Sequence, residues 1–350
     1  MVLKCTLSRN ERVAAALTGK PLDRVPIVEF VVDPSVALPL VPDAMDVADA
    51  CDKLGLDNVG SGATFLKVSE CGDEYVDEWG VRYRGGPQVV SHPLCGPIKS
   101  RDDLAAWNPP DPDARFRIKV LQDMVARYKG RHAIFFHHRA AFMWSAYLVG
   151  LDRLLELFYE DPGFVHELFE KVFRTNERIV RNAVRAGAEV ICLGDDYASN
   201  QGPLFSPKMF REFVLPYLQR MIDAIHEEGA FAVKHSDGNI WPILDDIVNT
   251  GVDGLNPIEP VANMDLGEVK AAYGDRICLV GNIDCGDLLC NGSPEDVEKA
   301  VEAAIRAGSP GGRYMLSSSN SIHASVKPEN FKAMIDAGYK YGIMDEESRS

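Results

Sequence analysis

Short apolar runs alternate with longer amphipathic segments along most of this chain. The runs are rich in Val, Ile, Leu and Phe, and each is followed by a stretch with helical spacing of its apolar residues. Apolar strands separated by helices are typical of parallel sheets that are covered on both faces. The runs that predict strands are 24–30, 56–62, 132–138, 189–196, 230–237, 252–259, 276–285 and 313–320.

The boundaries of these elements support the same interpretation. Glycine stands at most joints between a helix and the next strand, and Ser-Pro or Lys-Pro pairs open several helices. Strand–helix units repeated in this way predict the α/β class and a single closed (β/α)₈ barrel of the TIM type over residues 1–350. The segment from about 63 to 130 is then an insertion after the second strand. Its stretch 73–93, DEYVDEWGVRYRGGPQVVSHP, alternates like a hairpin and predicts a β-rich excursion over the barrel mouth.

Composition and charge narrow the functional classes. The chain has 350 residues, of which 46% are hydrophobic and 25% charged, and its net charge is −15. This negative charge argues against nucleic acid and membranes as partners. The charged N-terminal stretch and the lack of a long apolar segment predict a cytoplasmic protein. The eight cysteines are scattered without a CxxC pair, which argues against disulfides and zinc fingers.

Polar residues follow many of the predicted strands at their carboxyl ends. In a barrel of this type these ends surround one mouth, where the chemistry takes place. The residues in question are Glu29, His137, His138, Arg139, Asp195, Asp196, Tyr197, His235, Asp237, Glu259, Asn282, Asp284, Cys285, Ser317, Ser318, Ser319, Asn320 and His323. A ring of groups that bind protons and metals indicates a site, although any single one can simply cap a helix or secure a loop.

His235 allows three interpretations. It can be a core histidine bonded to a carbonyl, a helix cap assisted by Asp237, or a zinc ligand. A zinc site needs a neutral imidazole with carboxylate or thiolate partners, and Glu259 and Cys285 at nearby strand ends supply both. The hypothesis is therefore a zinc ion held by His235, Glu259 and Cys285. The alternative for Cys285 is that of a small buried apolar residue.

Several segments together resemble the uroporphyrinogen decarboxylase superfamily over nearly the full length. They are ERVAAALTGKPLDRVPI, DEWGVRY, LFSPKMFREFVLPYLQRM, VKHSDGN, CLVGNIDC and SSSNSIHASVKPENFKAM. The resemblance implies a single distorted (β/α)₈ barrel with its active site in a deep cleft at the mouth. The branches of the superfamily differ in chemistry, so the branch depends on individual residues.

The decarboxylase itself carries Arg-Gln-Ala-Gly-Arg just after the first strand, where the arginines hold the substrate's carboxylates. This sequence reads VEFVVDPSVALPL there and has no arginine between Val25 and Lys53. A polycarboxylate tetrapyrrole would meet Glu29 and Asp33 instead, and unpaired like charges are unfavourable. The prediction is that uroporphyrinogen is not the substrate.

The chain is more similar to the cobamide-dependent methyltransferases of the superfamily. Those enzymes hold zinc with His-x-Cys and a later Cys, whereas this chain has His235, Asp237 and, at about the later position, Asn320. A site rich in oxygen and nitrogen suits removal of a methyl group from a methoxy compound. The resemblance thus implies transfer from a small O-methyl or N-methyl donor. The acceptor would be a separate corrinoid protein that carries the cobamide, because the chain has no Asp-x-His-x-x-Gly motif.

The hypothesis assigns each candidate residue a role. The catalytic residues are His235, Asp195, Asp237, Asn320 and His323. The residues that bind substrate are Glu29, His137, Arg139, Asp196, Tyr197, Asn282 and Asp284. Two alternatives remain: a carboxy-lyase for a smaller acid, with Asp195 or His235 as proton donor and Arg139 as carboxylate anchor, and a non-catalytic barrel that binds a small ligand. The sequence leaves open the methyl donor and the oligomeric state, a homodimer included.

Overall fold

The computed structural model describes residues 6–85 and 92–344. Helices flank a curved parallel sheet, and glycines 19, 55 and 187 end three of them in the left-handed conformation. The helices are α1 (Arg9–Thr18), α2 (Pro34–Leu40), α3 (Val47–Leu54), α4 (Arg101–Ala106), α5 (Lys119–Tyr128), α6 (Phe142–Val149), α7 (Leu151–Glu160), α8 (Pro162–Ala186), α9 (Pro207–Met209), α10 (Leu215–Glu227), α11 (Trp241–Asn249), α12 (Leu266–Tyr273), α13 (Leu288–Asn291), α14 (Pro294–Gly308) and α15 (Pro328–Tyr341). None of them combines the length and the apolar character that a bilayer crossing requires.

Three sheets contain the strands. In chain order the strands are β1 (Asn58–Gly62), β2 (Lys67–Cys71), β3 (Glu74–Asp77), β4 (Arg82–Arg84), β5 (His92–Cys95), β6 (Ala133–His138), β7 (Val190–Gly194), β8 (Ala198–Ser199), β9 (Gly202–Pro203), β10 (Phe231–His235), β11 (Gly254–Asn256), β12 (Cys278–Ile283) and β13 (Tyr314–Ser318). The main sheet is parallel with the order β1-β6-β7-β10-β11-β12-β13. The predicted α/β barrel is confirmed.

The first predicted strand, 24–30, takes the eighth position without forming a regular ladder. On one side Ile27 makes a single parallel bridge to Leu316 of β13. On the other side its backbone N–H donates to the side chain of Asp57, at 2.8 Å. Pro26 has no N–H to donate, so a continuous ladder is interrupted there. The segment still closes the sheet between β1 and β13.

A buried group of charges fastens this segment to α1 and the start of β1. Arg12 of α1 donates to Asp23 and to Asp57, both at 2.7 Å, and Arg24 donates to Asp57 at 2.8 Å. All four side chains are almost fully buried. Mutual pairing is what makes such burial tolerable, because one unpaired charge here would cost several kcal/mol.

The segment between β1 and β6 forms a small antiparallel sheet in the order β2-β3-β4-β5. Residues 86–91 of the stretch predicted as a hairpin lie outside the described residues. Trp79, between β3 and β4, stacks on Trp144 of α6 with ring centroids 4.3 Å apart. Arg117 makes two hydrogen bonds to Glu78, at 2.9 and 2.7 Å. These contacts hold the small sheet against the barrel.

Candidate active site

A cavity of about 740 Å³ lies where the main-sheet strands end. Its floor consists of residues at the carboxyl ends of those strands, and its roof consists of side chains from β2, β3 and β4. The lining residues are Phe30, Val31, Gly62, Ala63, Phe65, Lys67, Tyr75, Asp77, Tyr83, His137, His138, Arg139, Trp144, Tyr147, Cys192, Gly194, Asp196, His235, Asp237, Asn256, Asn320 and Ser321. A concave site of this size with a few polar groups suits a small molecule.

Asp196, His235 and Asp237 form a cluster at one end of the cavity. Nε2 of His235 lies 3.4 Å from Oδ1 of Asp237 and 3.6 Å from Oδ1 of Asp196. One ligand atom from each of the three residues falls within 4.8 Å of the others, and within residues 6–85 and 92–344 no other group meets this standard. Imidazole nitrogen and carboxylate oxygen are donors that zinc accepts, and three protein ligands leave a position open.

Hydrogen bonds orient the histidine of this cluster. Nδ1 of His235 lies 2.6 Å from Oδ1 of Asn256, whose Nδ2 donates to the carbonyl of Val280. The amide of Asn256 is therefore turned with its oxygen toward the ring, so Nδ1 carries the proton and donates it. In the neutral form of this tautomer the lone pair is on Nε2, which faces the two carboxylates.

Asp237 is held through only one of its oxygens. Oδ2 accepts from Nδ2 of Asn320 at 2.6 Å, whereas Oδ1 is buried and has no hydrogen-bond partner in the described part of the chain. Burial, which outweighs the attraction of His235, raises the pKa of Asp237 to about 6. A buried carboxylate oxygen without a donor fits a site that receives a cation.

The turn after Asp237 allows no side chain. Gly238 has φ +84°, and a Cβ there would lie 2.7 Å from the backbone of Ala198 and Ser199. Its N–H donates to Oε2 of Glu259 at 2.6 Å. Glycine is thus required both for the conformation and for the close approach.

A cation and aromatic rings line another part of the cavity. The guanidinium of Arg139 lies 5.6 Å from the ring centroid of Tyr147, and its Nε is buried without a partner in the described ranges. The rings of Tyr75 and Tyr83 stack with centroids 5.1 Å apart. His137 also has a buried, unpartnered Nε2, and burial lowers its pKa to about 4, so the ring is neutral. These groups can bind a ring and an anionic substituent.

The structure brings part of the predicted set together at the cavity. The strand-end residues named from the sequence that line it are His137, His138, Arg139, Asp196, His235, Asp237 and Asn320. The predicted zinc set is not brought together, because Glu259 accepts from the backbone of Gly238, while the buried thiol of Cys285 accepts from Ser319. Burial raises the pKa of Cys285 to about 11, so this thiol stays protonated. Within the described residues, the side chains grouped with His235 are those of Asp196 and Asp237, whereas the sequence predicted those of Glu259 and Cys285.

Two expected residues of the β7 end are structural instead. Asp195 is fully buried, and its oxygens accept from the backbone N–H groups of Ala140 and Met143 at the start of α6. Tyr197 packs in the core, and the ammonium of Lys234 lies 4.1 Å from its ring centroid. Asp195 was expected to be catalytic and Tyr197 to bind substrate, but neither side chain is among those that line the cavity.

The remaining expected residues also lie outside the cavity. Glu29 is buried against β13, and Asn282 donates to the carbonyl of Ile258. Asp284 accepts from backbone N–H groups at the start of α13, and His323 lies 3.9 Å from the sulfur of Cys290. Glu29 and Asp284 satisfy backbone donors, as caps and turns commonly require. Asn282 instead satisfies a backbone acceptor.

The sequence predicted a β-rich segment over the mouth but did not predict which of its side chains line the cavity. Phe65, Lys67, Tyr75, Asp77 and Tyr83 come from the segment after β1. The alternation of residues 75, 77, 79, 81 and 83 carried the signal, since these odd positions face inward as a strand pattern requires. Asn256 was also missed, although it ends β11 in the same way that His235 ends β10.

A family model matches most of this chain. The model of the family described as uroporphyrinogen decarboxylase (URO-D) matches residues 80–341. The chain belongs to the URO-D family. The resemblance predicted from the sequence is thereby confirmed.

Curated members of the URO-D family are similar to this chain at low identity. The uroporphyrinogen decarboxylase of Pseudoalteromonas atlantica is 23% identical over 258 residues, which cover 70% of each chain. That of Aliivibrio salmonicida is 22% identical over 346 residues, covering 95% of this chain and 84% of the relative. A solved structure, a methyltransferase from Methanosarcina mazei, superposes with a TM-score of 0.79 at 21% identity and covers 96% of this chain and 99% of its own. These relatives are named as enzymes, and the structural likeness shows that the chain shares its fold with the methyltransferase.

Proposed function

We propose that this protein is a methyltransferase that moves a methyl group from a small methoxylated donor to the corrinoid of a separate protein. The observation that carries the proposal is the cluster of Asp196, His235 and Asp237 at the end of the cavity. It offers nitrogen and oxygen ligands, the kind of site that assists an oxygen leaving group. The likeness in fold to the methyltransferase from Methanosarcina mazei is in keeping with this proposal.

The three side chains fit a divalent ion, and zinc suits the donor set. Oδ1 of Asp237 is buried without a partner in the described residues, and Nε2 of His235 presents its lone pair to the same point. When bound, zinc would act as a Lewis acid toward the donor's oxygen. The residues of this chain orient the ligands: Asn256 fixes the ring of His235, and Asn320 fixes the carboxylate of Asp237.

Arg139 and the aromatic lining of the cavity favour a donor with a ring and a carboxylate. Tyr75, Tyr83, Trp144 and Tyr147 give it aromatic walls, and Arg139 has an unsatisfied buried N–H among the described residues. A guanidinium at this position would bind a carboxylate, and His137 would hydrogen-bond a polar substituent. The methyl donor is therefore an O-methyl aromatic acid rather than methanol in this proposal.

The charge of the lining is unsuited to a tetrapyrrole with many carboxylates. Its cations are Lys67 and Arg139, whereas Asp77, Asp196 and Asp237 are acidic. Phe30 and Val31 line the cavity just after the first strand, where the decarboxylase carries its arginines. This supports the prediction that uroporphyrinogen is not decarboxylated.

The proposal is tested by methyl transfer in vitro. The purified protein with zinc is mixed with a methoxybenzoate and a corrinoid protein reduced to Co(I), and the absorption spectrum of the corrinoid is followed. We expect loss of the Co(I) spectrum together with release of the hydroxybenzoate. A parallel anaerobic assay with uroporphyrinogen should yield no coproporphyrinogen. Coproporphyrinogen in the second assay and no spectral change in the first would refute the proposal.

A carboxy-lyase acting on a smaller acid is the second candidate. The curated relatives are named as decarboxylases, and Arg139 could anchor the carboxylate of such an acid. Of the two proton donors expected for that reaction, His235 lines the cavity, whereas Asp195 uses its oxygens to accept backbone N–H groups. Release of carbon dioxide from an aromatic acid without any corrinoid protein would favour this candidate. Binding of such acids without any turnover would favour the non-catalytic alternative.

A further inference from the structure

A buried carboxyl group stands behind the cavity without a charged partner among the described residues. Glu29 is only 4% exposed and lies between β1 and β13. Its Oε1 lies 2.8 Å from the backbone N–H of Ser318, and its Oε2 lies 2.8 Å from Oγ of Ser318 and 3.4 Å from Oγ of Ser317. All of these neighbours are neutral.

The hydrogen bonds of Ser318 indicate whether the carboxyl group of Glu29 is protonated. Oγ of Ser318 lies 2.8 Å from Oε2 of Glu29 and 2.6 Å from the carbonyl oxygen of Asn320. A serine hydroxyl has one proton, and a carbonyl oxygen can only accept. If Glu29 is ionised, one of these short contacts joins two acceptors. If Glu29 is protonated, it donates to Ser318, Ser318 donates to Asn320, and both contacts become hydrogen bonds.

The surroundings of Glu29 also favour its protonated form. Two thiols face Glu29: that of Cys51 in α3 and that of Cys285 in the loop after β12. Burial raises the pKa of Cys51 to about 12 and the pKa of Cys285 to about 11, so both thiols are neutral. Within residues 6–85 and 92–344, the groups that act on this carboxyl are its burial and the two serines, and none of them is a Lys, Arg or His. An isolated carboxylate is unfavourable in a buried site, so the neutral form is favoured. In keeping with this, burial raises the pKa of Glu29 to about 8.

The same hydrogen bonds lead to the candidate active site. Ser318 bonds the carbonyl of Asn320, whose Nδ2 donates to Oδ2 of Asp237 at 2.6 Å, while its Oδ1 accepts from the N–H of Ser321. The backbone and the side chain of Asn320 are thus both fixed. This fixes Asp237 with Oδ1 toward Nε2 of His235.

We propose that Glu29 is a neutral carboxylic acid that acts as a positioning residue, holding Asp237 in place through Ser318 and Asn320. Its side chain does not line the cavity and touches no reacting group. The inference rests on the proposed function only for the role of Asp237, since the protonation and the hydrogen bonds are properties of the protein alone.

The first test reads the protonation state by infrared difference spectroscopy. The carbonyl stretch of a protonated carboxyl should be present in the wild-type protein at neutral pH and absent in Glu29→Gln. Glu259→Gln, which removes a carboxylate bonded to a backbone N–H, should leave the band unchanged. A wild-type spectrum without a band assignable to Glu29 would overturn the inference.

The second test reads the positioning through the side-chain amide resonance of Asn320 in asparagine-labelled protein. Glu29→Gln keeps a donor toward Ser318, so this resonance should stay in place, whereas Glu29→Met and Ser318→Ala should shift it. If zinc binds as proposed, its affinity should follow the same order, falling about 10- to 100-fold in Glu29→Met, as loss of a residue behind a metal ligand typically does. Gln and Met variants with the same effect on Asn320 would contradict the inference. Neither spectroscopic reading needs a methyl donor or a metal, so failure of the proposed function leaves both tests valid.

Discussion

His235 and Asp237 present their side chains to the same point, with Nε2 of the histidine 3.4 Å from Oδ1 of the aspartate. They are two residues apart at the end of β10, and side chains at this spacing point to the same side of an extended chain. Asp196, from the end of the neighbouring strand β7, joins them because the two strands pair in parallel register. The cluster is therefore a direct result of strand pairing.

The first prediction concerns metal binding. We expect the protein to bind one zinc ion per chain, with Asp196→Asn, His235→Ala and Asp237→Asn each weakening the affinity by more than about a hundredfold. A catalytic zinc site has only three protein ligands, so the loss of one is severe. Elemental analysis and competition with a chelator measure the effect.

Cys285→Ser is the matched control for these variants. Its thiol belonged to the set predicted from sequence but bonds to Ser319 in the structure. The variant should keep its zinc affinity within a factor of about three. Loss of zinc in Cys285→Ser together with retention in Asp196→Asn would restore the set predicted from sequence.

A second prediction concerns the turn after Asp237. Gly238→Ala forces a Cβ to within 2.7 Å of the backbone at Ala198 and Ser199, and it strains a residue with φ +84°. We expect destabilisation of about 1–3 kcal/mol and a displaced Asp237, hence weaker zinc binding. Urea unfolding and zinc titration measure the two effects. Gly229→Ala has a similar φ of +85° and open space around its Cβ, so it should lower stability without affecting zinc.

Arg139 should determine the preference among methyl donors. Arg139→Met removes the cation that would bind a carboxylate, and a hydrogen bond to a charged group is worth about 1.5–3 kcal/mol. We therefore expect KM for a methoxybenzoate to rise about 10- to 100-fold with a smaller change in kcat. The uncharged methoxybenzene, which has the same ring, serves as the control donor. Equal losses with both donors would show that Arg139 supports the fold rather than the carboxylate.

Stability in acid should depend on the buried charges near α1. Burial alone would raise the pKa of Asp23, but the hydrogen bond from Arg12 and those from the backbone of Leu7 and Thr6 outweigh it and hold the pKa below its ordinary range. A carboxyl whose pKa is lowered by folding stabilises the fold at pH values above its pKa in the unfolded chain, about 3.9. This contribution is lost as the pH falls below that value toward the lower pKa of the folded state. Urea unfolding between pH 7 and pH 3 should show this decline.

Removal of one partner tests the same ion pairs at neutral pH. Arg12→Met leaves Asp23 and Asp57 with less compensation in a buried site, and we expect a loss of about 3–5 kcal/mol. Lys119→Met removes an exposed pair with Asp123 and should change stability by less than about 1 kcal/mol. If the Arg12 variant is as stable as the Lys119 variant, the buried pairs contribute no net stability.

The sequence predicted most strands of the fold because the pattern of apolar positions is a local property. Seven of the predicted strands contain the seven strands of the main sheet. The run at 24–30 was predicted as a regular strand and makes only isolated bridges. Its proline signalled this, since proline interrupts a ladder.

What only the tertiary structure decided was which polar residue at each strand end faces the cavity. Asp195 and Asp196 are neighbours with the same side chain, yet the first is buried under α6 and the second lines the site. Adjacent residues of an extended chain point in opposite directions, so the sequence determined that one of the two could face inward but not which one. The choice depends on strand register and on the backbone donors nearby. For the same reason the sequence determined a mouth rich in histidine and carboxylate, while the pairing of β7 with β10 decided which of these groups meet.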